Sequence, residues 1–185
     1  MRSARAATLF LLGLPGSAYL YQGEELGLYE VDDIPDSLRQ DPTFARSPGF
    51  DVGRDGCRVP LPWDGTGPAL GFGGAEPHLP QPSWMAQHAA STLEQDPHST
   101  LNLYRDALRL RRELMVGEDL EWKDTGRPDV LRFSRHRGWD VLTNFGTADY
   151  RLEGGQVLLC SSGPLLDGAV PAQTTVWVGP TTIRA

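Results

Sequence analysis

At 185 residues the chain is long enough for one or two domains with a sizeable core. Seventeen basic residues against twenty-four acidic ones leave a net charge of −7, which argues against a protein that tracks a nucleic-acid backbone. Two cysteines, Cys57 and Cys160, are too few for a disulfide framework, and the four histidines (His78, His88, His98, His136) lack ligand spacing. Free thiols in a reducing compartment, with no metal or cofactor, are therefore expected.

The first zone reads two ways. Met1-Arg2-Ser3-Ala4-Arg5, an apolar run over 6–14 and the small residues Gly16-Ser17-Ala18 have the three parts of a secretory signal peptide. The same residues also form a helix over about 4–12, with Leu9, Phe10 and Leu12 turned inward. Leu14-Pro15-Gly16 then breaks it before an apolar strand over 17–21.

Residues 28–82 hold Pro, Gly, Asp and aromatic residues with little periodicity, a length typical of a functional loop. Within it lies Gly53-Arg54-Asp55-Gly56-Cys57-Arg58-Val59-Pro60-Leu61-Pro62-Trp63-Asp64. Two arginines four apart, a proline lock and an indole suit a sugar-gripping surface: guanidinium forks for hydroxyls and an aromatic face for a pyranose ring. Asp55 reads as the partner that fixes Arg54 or Arg58 rather than as a nucleophile. The adjacent Glu24 and Glu25 are poorly placed to flank one bond; accepting turn N–H groups or pairing with an arginine suits them better.

Further along, residues 83–95 predict a short helix with a loose stripe of Trp84, Met85, His88 and Leu93. A firmer helix starts at the N-cap Ser99 and runs to about 115, sharing Leu101, Tyr104, Leu108, Arg111 and Leu114 on one face, until Gly117 stops it. Arg109, Arg111 and Arg112 form the nearest thing to a basic patch and read as a solvated helix face. After Gly117 the period changes to two. Strands are predicted over 130–133, 139–145, 157–160 and 175–178, punctuated by Gly138, Gly146, Gly154-Gly155 and Gly163-Pro164. The alternating Arg132, Asp140 and Asn144 suggest an antiparallel sheet with one wet face.

Two segments carry a family resemblance. Leu14-Pro15-Gly16-Ser17-Ala18-Tyr19-Leu20-Tyr21-Gln22-Gly23-Glu24-Glu25-Leu26-Gly27 is similar to the G-x-P-Y-x-Y-Q-G-E-E-x-G segment of α-glucosidases in the α-amylase superfamily. Residues 53–64 resemble the R-D-x-x-R-x-P-M-x-W loop of the same family, with Leu61 where that motif often has Met. Both stand in the family's order and separation, which favours the helix and strand at the N-terminus over the signal peptide, and with them a cytoplasmic location. The resemblance implies an α+β fragment: the last helix and strand and the substrate loop of a (β/α)8 barrel over 1–116, then an antiparallel β-sandwich over 117–185.

The implied activity is hydrolysis of terminal α-linked glucose from oligosaccharides. Retaining hydrolysis needs two carboxyl groups ~5–5.5 Å apart across the bond. In the family these come from earlier strands, and its G-x-R-x-D and N-H-D signatures are absent here, so no catalytic residue is expected in this chain. Arg58 corresponds to the arginine that binds a terminal glucose hydroxyl; its other reading is a brace for the loop. Arg54 leans towards a structural role. Tyr21 and Gln22, at the carboxyl end of the barrel strand, stand where such barrels place substrate contacts. Trp63 and Trp84 pack loops or line a sugar platform, with packing favoured. Two other readings stay open: a non-catalytic carbohydrate-binding or interaction module, and part of a trehalose synthase-like transglycosylase. The expected partner is an oligosaccharide, with neither nucleic acid nor membrane.

Overall fold

The structure, a computed structural model, describes residues 1–47 and 49–180. Its contacts divide it into two compact units, one made of residues 1–19 with 103–185 and the other of residues 20–102.

The first unit is built on a sheet. Seven strands form among the described residues: β1 (Leu120–Lys123), β2 (Val130–Arg135), β3 (Trp139–Asn144), β4 (Tyr150–Arg151), β5 (Gln156–Cys160), β6 (Ala169–Val170) and β7 (Thr174–Gly179). Five of them make an antiparallel sheet in the order β1-β2-β3-β7-β5, and β4 pairs with β6 in a separate two-stranded ribbon. The four predicted strands are thus all present. β1 was missed because Leu-Glu-Trp-Lys, although it alternates, is only four residues long; it is an edge strand whose half-exposed Trp122 meets Phe133 edge-on at 5.4 Å.

Two helices bear on this sheet. Helix α1 (Arg2–Gly13) places Ala6, Leu9 and Leu12 three residues apart, and all three are buried. Leu14 turns extended before Pro15, which the proline ring requires, and the helix stops. The second, α4 (Thr100–Leu114), follows α2 (Pro42–Arg46) and α3 (Ala90–Glu94) in the chain. Its cap is as expected, since Ser99 Oγ accepts the Asn102 N–H at 3.1 Å. Leu103 and Ala107 of α4 join Leu9, Leu12, Phe133, Trp139, Val141 and Trp177 in one core. Trp177 Nε1 donates to the Leu9 carbonyl at 3.0 Å, and Thr175 Oγ1 donates to that of Ala6 at 2.7 Å.

The opposite face of the sheet is not wet. Leu142, Val176, Val178 and Val130 pack there with Cys160 and Val170, and Tyr150 and Leu152 lie against them. Every residue of β7 is buried in consequence. The polar residues that suggested solvent are satisfied instead: Asp140 accepts from Arg132 Nε at 2.7 Å and from Ser134 Oγ at 2.6 Å, and Asn144 Nδ2 donates to the carbonyls of Ala148 and Val170. A polar residue in an alternating pattern marks a face only when nothing covers that face.

Arg111 also departs from expectation. Its guanidinium is not on a solvated helix face but over the end of α1, where it donates to the carbonyls of Leu12, Leu14 and Gly16. Helix ends leave such carbonyls without partners, and a cation there complements the dipole. Burial lowers the Arg111 pKa. Arg109, by contrast, is exposed and pairs with Asp106 and Glu113 along its own helix.

Three further expectations change in detail. No ladder forms over 17–21, where Tyr19 is 89 % exposed: among the described residues no strand pairs with this segment, and the Tyr21 N–H and C=O are engaged by Glu24 in the following turn. The helix over 83–95 is two pieces, a 3-10 turn Ser83–His88 and α3, because the buried Ala89 between them is extended at ψ 140°. The strand predicted over 139–145 ends at Asn144. Among the described residues no helix is long and apolar enough to cross a membrane.

Candidate functional site

Residues 20–102 carry little regular structure, so what holds the Arg54–Arg58 segment in place is a set of buried carboxylates. Asp41 caps α2, accepting the Thr43 N–H at 2.8 Å, and Pro42 fills the first helical position, where no N–H is needed. The other carboxylate oxygen of Asp41 accepts the Arg54 N–H at 3.0 Å and Arg58 Nη1 at 2.9 Å. Asp55 is as deeply buried and accepts the backbone N–H groups of Gln40 and Asp41 at 2.7 and 2.9 Å. Asp55 therefore fixes neither arginine, contrary to the sequence reading. It ties the segment to 40–41, and Asp41 is the partner of Arg58.

Two glycines make that closeness possible. Gly53 has φ +73°, and a Cβ there would lie 2.6 Å from Asp41 Cβ; one on Gly56 would lie 2.5 Å from the Val31 carbonyl oxygen. Only residues without a Cβ fit either position. The turn at Gln22–Gly27 is closed in a related way. Glu24 accepts the Tyr21 N–H at 3.0 Å and Glu25 that of Gly23 at 2.9 Å, the role expected of them.

The four predicted site residues lie as follows. Arg58 is half-exposed; Nη1 is held by Asp41, and its remaining donors make no hydrogen bond to a described residue. Arg54 is exposed and is fixed through its backbone. Tyr21 is half-exposed, and its hydroxyl donates to the Cys57 carbonyl at 3.4 Å and lies 3.6 Å from the Cys57 thiol. The thiol contact and burial raise the Tyr21 pKa, while the Arg58 and Arg54 charges oppose the rise, so both guanidiniums lie within electrostatic reach of this hydroxyl. Tyr21 and Gln22 line a cavity of about 120 Å³ together with Glu24, Tyr29, Glu30 and Cys57. A larger and more open depression of about 630 Å³, lined by Leu38, Leu70, Glu76, His78 and Gln81, contains none of the four.

Of the two tryptophans, Trp84 packs, its ring edge-on to Tyr29 and His88, but Trp63 does not and is 55 % exposed. Sequence reasoning missed Asp41, although an Asp followed by Pro is a helix-start signal that could have found it. Both cysteines are free thiols.

Hydrogen bonds from the Thr43 and Arg54 amides and from the Thr43 side chain, with the Arg58 charge beside it, hold the Asp41 carboxyl well below the usual carboxylate range. An unfolded aspartate titrates at about 3.9. Ionised Asp41 therefore stabilises this segment above that pH, and its contribution is lost as the pH falls below it toward the depressed folded value. Amide exchange at Thr43 and Arg54 should accelerate between about pH 4 and 2 more than the intrinsic rate change requires. A flat protection factor over that range would remove Asp41 from its place as the staple.

Comparison with known proteins bears directly on this segment. The family model of the α-amylase catalytic domain matches residues 1–118. The chain belongs to the α-amylase family. Among curated relatives, this α-amylase family chain is 36% identical over 138 residues to a probable α-glucosidase of Rhizobium meliloti, covering 73% of this chain and 24% of that protein. It is 29% identical over 170 residues to an oligo-1,6-glucosidase of Parageobacillus thermoglucosidasius, covering 78% and 30%. Among solved structures, the α-glucosyl transfer enzyme XgtA superposes with a TM-score of 0.75 at 31% identity, covering 96% of this chain and 35% of that one. The chain thus spans about a quarter to about a third of the length of these relatives.

Proposed function

We propose that this chain is the sugar-side part of a retaining α-glucosidase acting on terminal α-linked glucose in oligosaccharides. Residues 1–116 are the closing portion of a (β/α)8 barrel with its substrate loop, and 117–185 are a terminal β-domain of sandwich type; the family match over 1–118 and the small ribbon against the main sheet support this division. The observation that carries the reading is Arg58, held by one nitrogen with its other donors free and half-exposed. A planar donor fixed in this way suits recognition of sugar hydroxyls. Arg54, Tyr21 and Gln22 complete the sugar-facing group.

Four of the carboxylates near the site are already engaged, and Glu30, which also lines the cavity, is a single group where retaining hydrolysis needs two. Glu24 and Glu25 accept turn N–H groups, and Asp41 and Asp55 accept loop N–H groups, so the catalytic pair is supplied by other residues of the parent barrel. The purified 185-residue chain should then bind methyl α-glucopyranoside weakly, at millimolar concentration by saturation-transfer NMR, and bind it markedly more weakly in Arg58→Ala. It should release no nitrophenol from an aryl α-glucoside. Turnover abolished by an Asp or Glu substitution within the chain would overturn the reading, and so would binding indifferent to Arg58.

The likeness to an α-glucosyl transfer enzyme favours a second reading, in which the same surface holds the glucosyl group for transfer to another sugar. We place the protein in the cytoplasm. The apolar face of α1 is used in a core, and free thiols suit a reducing compartment.

A further inference from the structure

Arg58 sits on a loop, and a long flexible side chain on a loop is a poor ligand unless something orients it. One buried oxygen meets that need. Asp41 Oδ2 receives both the Arg54 backbone N–H and Arg58 Nη1, while Oδ1 is fixed by the Thr43 N–H. The carboxylate cannot rotate without losing the cap on α2. Its position is set from a third side by Asp55, which accepts the Asp41 N–H. Its side chain is 4 % exposed against 38 % for that of Arg58, so the pair has one rigid dry member and one that reaches solvent.

We propose that Asp41 is the positioning residue of Arg58: it pins the guanidinium at Nη1 and leaves the Nε and Nη2 donors turned to the ligand. The inference rests on the reading of Arg58 as the sugar-binding arginine and adds the residue that aims it. The pairing also explains why Gly53 and Asp41 are pressed together, since the glycine brings the Arg54 N–H onto the same oxygen that holds Arg58.

The test uses the full chain with 15N-labelled arginine. Asp41→Ser keeps an N-cap of comparable strength for α2 but deletes the oxygen shared by Arg54 and Arg58. Asp41→Asn keeps the shape and places an amide donor or a single oxygen there. A pinned guanidinium rotates slowly and gives separate Nη signals; in both variants the Arg58 signals should collapse to an averaged one, with the sheet amides unchanged as the check on folding. Binding of methyl α-glucopyranoside should weaken roughly tenfold in Asp41→Ser, the size expected for loss of one charged hydrogen bond. In an Arg58→Ala background the Asp41 substitution should cost nothing further.

Averaged Arg58 signals already in the wild type, or signals untouched by both substitutions, would overturn the inference. An equal loss of binding with and without Arg58 would overturn it too, by showing that Asp41 acts through the loop alone. If the guanidinium is freed as expected while Arg58→Ala leaves binding intact, the positioning by Asp41 stands and the sugar-binding reading of Arg58 falls.

Discussion

Trp177→Ala should destabilise the sheet unit by about 3–5 kcal/mol, the range for emptying a fully buried tryptophan site. The indole has no exposed surface, lies 5.1 Å from Trp139 between ring centres, and shares a core with Leu9, Leu12 and Val141. A domain of this size is stable by only about 5–15 kcal/mol in total, so the loss is a large fraction of what holds the fold. Trp177→Phe separates the two contributions. It keeps most of the volume and deletes the donor to the Leu9 carbonyl, and should cost roughly 1 kcal/mol beyond its packing change. Urea unfolding followed by the circular dichroism of the sheet measures both. A loss under about 1 kcal/mol for the alanine variant would mean that α1 is not seated on this residue.

A polypeptide of residues 118–185 should fail to fold. Period-two strands with a small apolar set would suggest an autonomous β-domain that survives proteolysis. The packing points the other way, because Phe133, Trp139, Val141 and Trp177 are covered by α1 and α4. Without those helices one whole face of the sheet meets water, an exposed apolar area that favours aggregation. The expected result is no cooperative thermal transition and no protected amides in the excised segment. A sharp melt near that of the full chain would show that the ribbon and sheet suffice alone.

Regular periodicity was legible and its absence was not. The helix over 99–115 and the four longer strands followed from spacing, caps and glycines, because each satisfies its own backbone and shows its buried side at a fixed period. β1, β4 and β6 carry too few residues to display a period. The expected wet face failed for a different reason: Arg132 and Asp140 neutralise each other, so a polar residue did not mean solvent. In the loop the arginines were legible by type and spacing, yet their partners were not. Asp55 stands beside Arg54 in the chain, but the oxygen that holds Arg58 belongs to Asp41, 17 positions away. Proximity in sequence predicts ion pairing on a helix, where neighbours are three or four apart, and has no such rule in an irregular loop.

The hydrogen bond from Trp177 to Leu9 closes a separation of 168 residues. At about 5–20 residues per second of synthesis, α1 leaves the ribosome roughly 10–30 s before the strand it packs on exists. During that interval its Ala6, Leu9 and Leu12 face is an unpartnered apolar stripe, open to chaperones and to other nascent chains. Arg111 arrives earlier than Trp177 and caps the helix first. Silent codon changes that slow translation across β7 would lengthen this exposure, and their effect would be read as lost soluble yield at unchanged stability of the protein that does fold.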